Sequence, residues 1–416
     1  WWSSLHSSQC QVEQVFKLGG LAGTGKTYLL QYILDALGPI ETSLPGPLQG
    51  SLIDEEKDGI LWGAYTGKAA LVMNRKGIPA TTIHRMLYQV DEEKLKKGEL
   101  VFTKRDSLPE GTRLVVIDEA SMVTEEIHND LLSMNVPILY VGDYFQLPPV
   151  EGTFNLMLEE GLNARLQQIQ RQALDSPIIK WSMWAREGRR LPMTSDRRTV
   201  LHSYYDDIPT SSLLAADQLI VGKNKTRIEL NGVMRQELGF TDALPMVGER
   251  LIITKNNYVR GVINGQQIRI TKLNGQSTPL STSISYTDED NYQAYLDHEQ
   301  KTLNKPVTPS ENKTEDSAYE EWLELMGDML NTNPYERTHD FSLRSYKDTG
   351  YAVTMDEMRE YVQSDYGYAI TCHKAQGSEW GKVVVIDDNF GRGEVRQRWL
   401  YTAITRASQS LIIAKF

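Results

Sequence analysis

Cysteine is nearly absent: Cys10 and Cys372 are the two in 416 residues. Two thiols build neither a disulfide scaffold nor a Cys-rich zinc site, and such sparing use suits a reducing cytoplasm. No run of about eighteen apolar residues occurs, so no membrane span is expected. The opening Trp1-Trp2-Ser3-Ser4 has neither the basic start nor the apolar stretch of a secretory signal. Positive charge is short as well. The 44 Lys and Arg against 55 Asp and Glu leave a net charge of −11, which argues against coating duplex DNA by bulk positive charge. A narrow basic channel stays open, because association follows local potential. Much of the acid sits in Asp54–Asp58 and Asp288–Glu336, read as solvated surface. Internal repeats and low-complexity tracts are missing too.

What is present is enough for a packed interior. Hydrophobic residues make up 40 %, with 8 Trp and 20 Tyr, and the length exceeds one ordinary core, so two or more domains are expected. The first half alternates short apolar strands with helical stretches. Val15-Phe16-Lys17-Leu18 runs into Gly19-Gly20, and Tyr28 to Leu37 reads as a helix ended by Gly38-Pro39. Residues 40–59 read as an exposed, acidic connection. Gly59–Tyr65, Leu114–Ile117 and Pro137–Val141 read as further strands. Uninterrupted apolar runs belong to strands buried on both faces, so the fold class is α/β with a parallel sheet covered by helices. Between Leu87 and Arg113 charged residues surround Leu100-Val101-Phe102, the mark of a small hairpin insertion. A second sheet is expected to begin near Asp217–Val221, to return at Lys382–Ile386 and to close with Ser410–Ala414. A β-rich insertion separates those ends, with strands at Arg250–Ile253 and Gln267–Ile270, then helical periodicity around Tyr319–Leu330.

Gly20-Leu21-Ala22-Gly23-Thr24-Gly25-Lys26-Thr27 matches the phosphate-loop pattern G-x-x-x-x-G-K-[ST], with a strand entering and a helix leaving. The glycines let backbone N–H groups turn toward phosphates. Lys26 supplies charge for the β- and γ-phosphates, and Thr27 a hydroxyl for Mg²⁺. Val115-Val116-Ile117-Asp118-Glu119-Ala120 complements it: Asp118 at a strand end holds Mg²⁺, and Glu119 orients and deprotonates the attacking water. At another strand end, Val141-Gly142-Asp143-Tyr144-Phe145-Gln146-Leu147-Pro148-Pro149 places Gln146 to sense the γ-phosphate, since ligands of such sheets sit at strand carboxyl ends. A Pro-bearing turn is the plain alternative there.

These strings resemble motifs I, II and III of superfamily 1 helicases, in the RecD and phage Dda group. Further strings are similar to the family in order. Ala64–Ala70 resembles motif Ia, Thr81-Thr82-Ile83-His84 motif Ib, and Gln170-Arg171-Gln172 the arginine-bearing motif IV. Asn224–Arg227 and Asn231 look like its sequel, and Ile263-Asn264-Gly265-Gln266 marks an inserted SH3-like domain. Ala369–Glu379 resembles motif V and Leu400–Ala407 motif VI. The resemblance runs from about residue 15 to the C-terminus, most loosely from Gln276 to Asp365.

The resemblance implies two RecA-like domains that grip one ATP, with DNA across both. It divides the chain into RecA-like domain 1A (1–86 and 114–174), hairpin insertion 1B (87–113), RecA-like domain 2A (175–245 and 366–416) and an SH3-like domain 2B with a tower-like extension (246–365). Carried over by position, Gly20, Ala22, Gly23, Thr24, Gly25, Lys26 and Thr27 bind the nucleotide with Gly377 and Glu379, the last at the ribose. Arg171 and Arg406 reach the γ-phosphate from the second side. Thr66, Lys68, Thr82, His84, Pro148, Asn264, Thr371 and His373 contact DNA, and hydroxyl and imidazole groups do so without reading sequence. Phe102 sits where Dda-like proteins carry an aromatic on a strand-separating hairpin. The plain alternatives are a structural hydrogen-bonder for His84, a hydrophobic plug for Phe102 and a surface ion pair for Arg406. Family members carry a glutamine about twenty residues before the phosphate loop that reads adenine; Gln9, Gln11 and Gln14 lie nearby without its surroundings.

The expected protein is therefore a monomeric, ATP- and Mg²⁺-dependent DNA helicase. It is expected to move 5′ to 3′ on single-stranded and forked DNA in replication, recombination or repair, beside single-strand-binding or replisome proteins. Its expected place is the cytoplasm, that of a bacterial host if the chain is phage-encoded. A P-loop ATPase acting on RNA or a nucleoprotein, and a binding module with a vestigial ATP site, are the rival readings.

Overall fold

The computed structural model describes residues 14–37, 59–90, 102–149, 153–169, 175–192, 198–242, 244–255, 257, 260, 262, 264–274, 282–293, 296, 336–343 and 361–416. The helical expectation at Tyr319–Leu330 and the acidic connection up to residue 58 lie outside them. The chain divides into two compact units, Trp1–Leu230 with Ala369–Phe416, and Asn231–Tyr368.

The larger unit holds two parallel sheets. In chain order the first contributes β1 (Val15–Gly20), β2 (Ile60–Ala64), β3 (Ala80–Thr82), a separate ribbon of β4 (Tyr88–Val90) and β5 (Phe102–Lys104), then β6 (Leu114–Asp118), β7 (Ile138–Gly142) and β8 (Ala164–Leu166). The order β3-β2-β6-β7-β1-β8 seats the most apolar strands, β6 and β7, at the centre. Val116 and Val141 face Leu18, Leu30 and Trp62 in one buried cluster. Covering helices are α1 (Lys26–Leu37), α2 (Gly67–Arg75), α3 (Ile83–Leu87) and α4 (Glu125–Ser133). Because β7 lies between β6 and β1, and Gly19 pairs with Gly142 while Ile117 pairs with Tyr140, the carboxyl ends of these three strands share one edge. That edge is where the phosphate loop, Asp118 and Asp143 emerge.

The second sheet is built after α5 (Pro177–Arg186) from β9 (Thr199–Leu201) and, past α6 (Thr210–Leu214), β10 (Gln218–Val221), which leads into α7 (Asn224–Glu237). The chain then forms the smaller unit, in which β11 (Arg250–Ile253), β12 (Gln267–Asn274), β13 (Thr282–Asp288), β14 (Arg337–Leu343) and β15 (Val362–Tyr366) close into a barrel. Ile253, Ile268, Ile270, Ile284, Tyr286 and Phe341 are buried in it, and Arg250 and Arg269 both bond the Glu289 carboxylate beside it. The chain returns through β16 (Ala369–Thr371), α8 (Cys372–Ala375), β17 (Trp380–Asp387), α9 (Gly393–Ile404) and β18 (Ala407–Lys415), completing the parallel order β16-β10-β17-β18-β9. Among the described residues no helix is long and apolar enough to cross a membrane.

The expected hairpin is the ribbon β4–β5, in which Tyr88 opposes Lys104 and Val90 opposes Phe102. Its base is tied to α4. The Tyr88 hydroxyl donates to Asp130 Oδ2, and Lys104 Nζ donates to Asp130 Oδ1 at 3.0 Å and to Ser133 Oγ at 3.2 Å.

Candidate nucleotide and nucleic-acid site

The phosphate loop is a turn only glycine sequences tolerate. Gly23 and Gly25 take φ of 77° and 86°, the left-handed region that penalises a Cβ. At Gly20 a Cβ would lie 2.7 Å from Thr24 Oγ1. Thr24 is buried and its hydroxyl donates to the Leu21 carbonyl at 2.8 Å. Lys26 opens α1; its Nζ donates to the carbonyls of Gly20 (2.8 Å) and Leu21 (3.0 Å) and lies 3.9 Å from Asp143 Oδ2. Ala22 and Thr27 are half-buried on either side. Free N–H groups at the start of α1, with the positive end of its dipole, suit phosphate oxygens.

Asp118 ends β6 and accepts the Glu119 N–H at 2.9 Å. Glu119 is held at φ 53°, ψ 39°, a left-handed conformation that costs a non-glycine residue about 1–3 kcal/mol. Burial, with the Glu119 charge next to it, pushes the Asp118 carboxyl up to about 6, against the pull of the Glu119 N–H, Lys26 and Lys76. Among the described residues no group of three or more His, Cys, Asp or Glu is arranged to hold a metal. Mg²⁺ in phosphate sites needs less, one or two protein oxygens beside phosphate oxygens and waters. A Thr27 hydroxyl and an Asp118 carboxylate are oxygen donors of the kind that Mg²⁺ takes in such sites.

The loop after β7 joins the two sheets. Asp143 is fully buried; its Oδ1 accepts the Phe145 N–H at 3.0 Å and its Oδ2 the Tyr401 hydroxyl at 2.6 Å. The Tyr401 oxygen in turn accepts the Ala22 N–H of the phosphate loop at 2.7 Å. The Leu147 N–H donates to Thr402 Oγ1 at 3.0 Å, and Gln376 Nε2 donates to the Leu147 carbonyl at 2.7 Å. Arg398 Nη1 donates to the Tyr144 carbonyl at 2.8 Å, and its guanidinium lies 4.8 Å from the Phe145 ring centre. Gln146 is buried with its Oε1 lacking any protein partner, a buried acceptor left without a hydrogen bond. Pro148 beside it is half-buried. Asp143, Tyr401, Thr402 and Arg398 have no local signature of these contacts, although all four lie within the motif strings or one turn of helix before them.

Arg406 is buried and held by its own lobe: Nε donates to the Thr402 carbonyl at 3.1 Å and Nη1 to the Ser378 carbonyl at 3.2 Å. Gly377, at φ 72°, approaches the first lobe so closely that a Cβ would lie 2.7 Å from Thr66 Oγ1. Glu379 is exposed. Arg171, Gln9 and Gln11 lie outside the described residues. The Gln14 amide is committed, donating to the carbonyls of Leu132 (3.0 Å) and Val136 (3.1 Å).

Three of the expected DNA contacts stand at helix starts that follow strand ends. Thr66 caps α2, accepting the Ala69 N–H at 3.2 Å; Thr82 caps α3, accepting the Arg85 N–H at 3.3 Å; Thr371 stands at the start of α8. Each puts a hydroxyl beside unpaired backbone N–H groups. His84 meets Tyr65 edge-on at 6.0 Å and Tyr88 at 5.9 Å, and His373 meets Phe390 at 5.8 Å. Burial lowers the pKa of both imidazoles, with Glu126 partly opposing it at His84, so both are neutral near pH 7. Lys68 Nζ lies 4.4 Å from the Trp380 ring centre. Phe102 is 41 % exposed on β5. Asn264 is exposed in the smaller unit, in the turn before β12.

A family model described as an AAA domain matches residues 6–203, and one of the UvrD-like helicase C-terminal domain matches residues 366–414. The chain is 26 % identical over 361 residues to the ATP-dependent RecD2 DNA helicase of Deinococcus radiodurans, which covers 83 % of this chain and 41 % of that protein. The chain thus spans less than half the length of that relative. It is 24 % identical over 284 residues to the ATP-dependent DNA helicase dda of Enterobacteria phage T4, covering 62 % of this chain and 61 % of that one. A solved structure on DNA unwinding at forked duplex DNA by two coordinating Pif1 helicases shares the fold, with a TM-score of 0.50 at 16 % identity over 96 % of this chain and 88 % of that one. With its phosphate loop, its Asp-Glu strand end and the later motifs carried on two parallel sheets that meet beside the loop, the chain is similar to superfamily 1 helicases of the RecD and Dda group.

Proposed function

We propose that the protein is an ATP-dependent DNA helicase that moves 5′ to 3′ along single-stranded DNA and separates duplex at a fork. One observation carries the reading: the phosphate loop of the first sheet is hydrogen-bonded to the motif VI helix of the second, through Tyr401 to Ala22 and Asp143. Chemistry at the loop is thereby connected to a lobe that also carries Thr371 and His373. ATP supplies the phosphoryl-transfer free energy. Lys26 and the loop N–H groups hold its phosphates, Thr27 and Asp118 hold Mg²⁺, and Glu119 orients the attacking water and takes its proton. Gln146 reads the γ-phosphate. Arg406 and Arg171 supply positive charge from the second side, an effect worth roughly 10³–10⁵ in rate where an arginine stabilises phosphoryl transfer.

Thr66, Thr82, Thr371, His84, His373 and Lys68 grip the phosphodiester backbone, and alternating grip by the two lobes steps the protein along one strand. The domain limits are those expected from sequence, with residues 87–113 as the strand-separating pin and Phe102 as the aromatic against which a base stacks. The working form is a cytoplasmic monomer that meets single-strand-binding or replisome proteins at the fork.

The test is unwinding of forked duplexes carrying a 5′ tail, a 3′ tail or both, alongside ATP hydrolysis with single-stranded DNA or RNA. Unwinding that needs the 5′ tail and hydrolysis stimulated by DNA are expected. Unwinding from the 3′ tail alone overturns the polarity; hydrolysis stimulated by RNA and not by DNA overturns the substrate.

A further inference from the structure

Tyr401 is buried without residue, and its hydroxyl has a single proton to give. That proton goes to Asp143 Oδ2 at 2.6 Å, and the oxygen lone pair takes the Ala22 N–H at 2.7 Å. Burial first, and then the Asp143 carboxylate, hold the phenol far above its ordinary pKa, so it stays a donor throughout the physiological range. The same Oδ2 lies 3.9 Å from Lys26 Nζ. Two cationic or acidic hydrogens therefore converge on one carboxylate oxygen: the ammonium that serves phosphates and the phenol that belongs to the other lobe. The phenol ring is braced edge-on against Phe145 at 5.4 Å, so the hydroxyl has little freedom to choose other partners.

We infer that Tyr401 is a positioning residue that reports occupancy of the phosphate loop to the second lobe. The inference rests on the helicase reading. A triphosphate in the loop draws Lys26 toward its oxygens and competes for loop N–H groups such as that of Ala22. Asp143 then has the phenol as its remaining strong donor, and the Tyr401–Asp143 bond strengthens as the Tyr401–Ala22 bond weakens. Tyr401 sits in α9 next to Thr402, whose carbonyl accepts Arg406 Nε just past the helix end, and Arg406 Nη1 donates to the Ser378 carbonyl beside Gly377, which approaches Thr66. A shift of one hydrogen bond at the loop is thus passed along α9 to the residues assigned to DNA.

The experiment measures linkage at equilibrium. Affinity for a fluorescent oligo-dT is read by anisotropy with and without Mg²⁺ and a non-hydrolysable ATP analogue, and affinity for the analogue is read separately. In the unaltered protein the analogue is expected to change oligo-dT affinity at least about fivefold. Tyr401→Phe, which keeps the ring and removes the hydroxyl, should bring that ratio to within about twofold of one while the protein still binds both ligands. Thr402→Val cuts a different bond across the same boundary, Leu147 N–H to Thr402 Oγ1, together with the local bond from Thr402 Oγ1 to the Arg398 carbonyl, and should keep the full ratio. A full ratio in Tyr401→Phe, or an equal loss in Thr402→Val, overturns the inference. Asp143→Asn gives the same readout should Tyr401→Phe fold poorly, its expected result being a reduced ratio and an unreduced one overturning the inference. An unaltered protein that binds DNA with no response to the analogue also overturns it, with the helicase reading intact; one that binds no DNA sinks both.

Discussion

Replacing Asp130 by alanine should separate unwinding from ATP hydrolysis. The carboxylate is the common acceptor for Tyr88 and Lys104, which oppose each other across the ribbon β4–β5. Burial would raise the Asp130 carboxyl, but the Tyr88 hydroxyl and the Lys104 ammonium outweigh it and hold it below the ordinary value. Two three-residue strands form no stable structure by themselves in water, so this carboxylate is a main tie to the body of the lobe. A hydrogen bond to a charged acceptor contributes about 1.5–3 kcal/mol. Lys104 is 41 % exposed, so its ion pair adds only about 0.2–1 kcal/mol. A combined loss of about 2–3 kcal/mol lowers the population of the anchored ribbon roughly 30- to 150-fold relative to the released one. Single-turnover unwinding of a 5′-tailed fork should then fall at least about tenfold, while hydrolysis stimulated by single-stranded DNA stays within about twofold. Tyr88→Phe should reproduce most of the effect and Lys104→Met little of it. Unwinding at the original rate in Asp130→Ala, or a parallel fall of unwinding and hydrolysis, would refute the reasoning.

Glu119→Gln keeps the shape of the Asp118 loop and removes the carboxylate proposed to take the water's proton, so steady-state hydrolysis should drop by roughly 10²–10⁴ with ATP affinity kept; normal turnover would remove Glu119 from the chemistry. Gly377→Ala places a Cβ 2.7 Å from Thr66 Oγ1 at φ 72°. The left-handed strain costs about 1–2 kcal/mol, and titration with single-stranded DNA should show weaker binding; unchanged affinity would detach this approach from the DNA grip. Burial lowers the imidazole pKa of His84, His128 and His373 below 6.5 in the folded larger unit. Their unfolded forms therefore take up protons first, so this stability is fully present above pH 6.5 and is lost as pH falls through 6.5 toward the folded values. The raised Asp118 carboxyl acts in the opposite sense over the same range, so the test is the difference between proteins: lowering the pH from 7.5 to 5.5 should depress the urea midpoint less in His373→Asn than in the unaltered protein, and an equal change in the two would contradict the burial of that ring.

The phosphate loop, the Asp118-Glu119 strand end, the central strands and the hairpin at 87–113 were legible as local patterns. Each depends on neighbours in the chain: glycines where φ is positive, apolar runs long enough for a strand covered on both faces, charge flanking a short apolar patch. The short edge strands β8, β9 and β16 carry three residues each and too little pattern to stand out. Likewise β13, Thr-Ser-Ile-Ser-Tyr-Thr-Asp over Thr282–Asp288, is mostly polar and becomes a strand through its pairing with β12 and β14. The site divides in the same way. Which residues could hold a triphosphate was set by eight consecutive positions, but what those positions touch was not. Tyr401 meets Asp143 across 258 positions of chain and Ala22 across 379, and Asp130 meets Tyr88 across 42. A hydroxyl or carboxylate has the same local signature whether it faces water or a buried partner. Only tertiary packing, of one sheet lobe against the other for Tyr401 and of the ribbon against α4 for Asp130, takes these groups out of water, makes an unpaired one costly and so chose their partners.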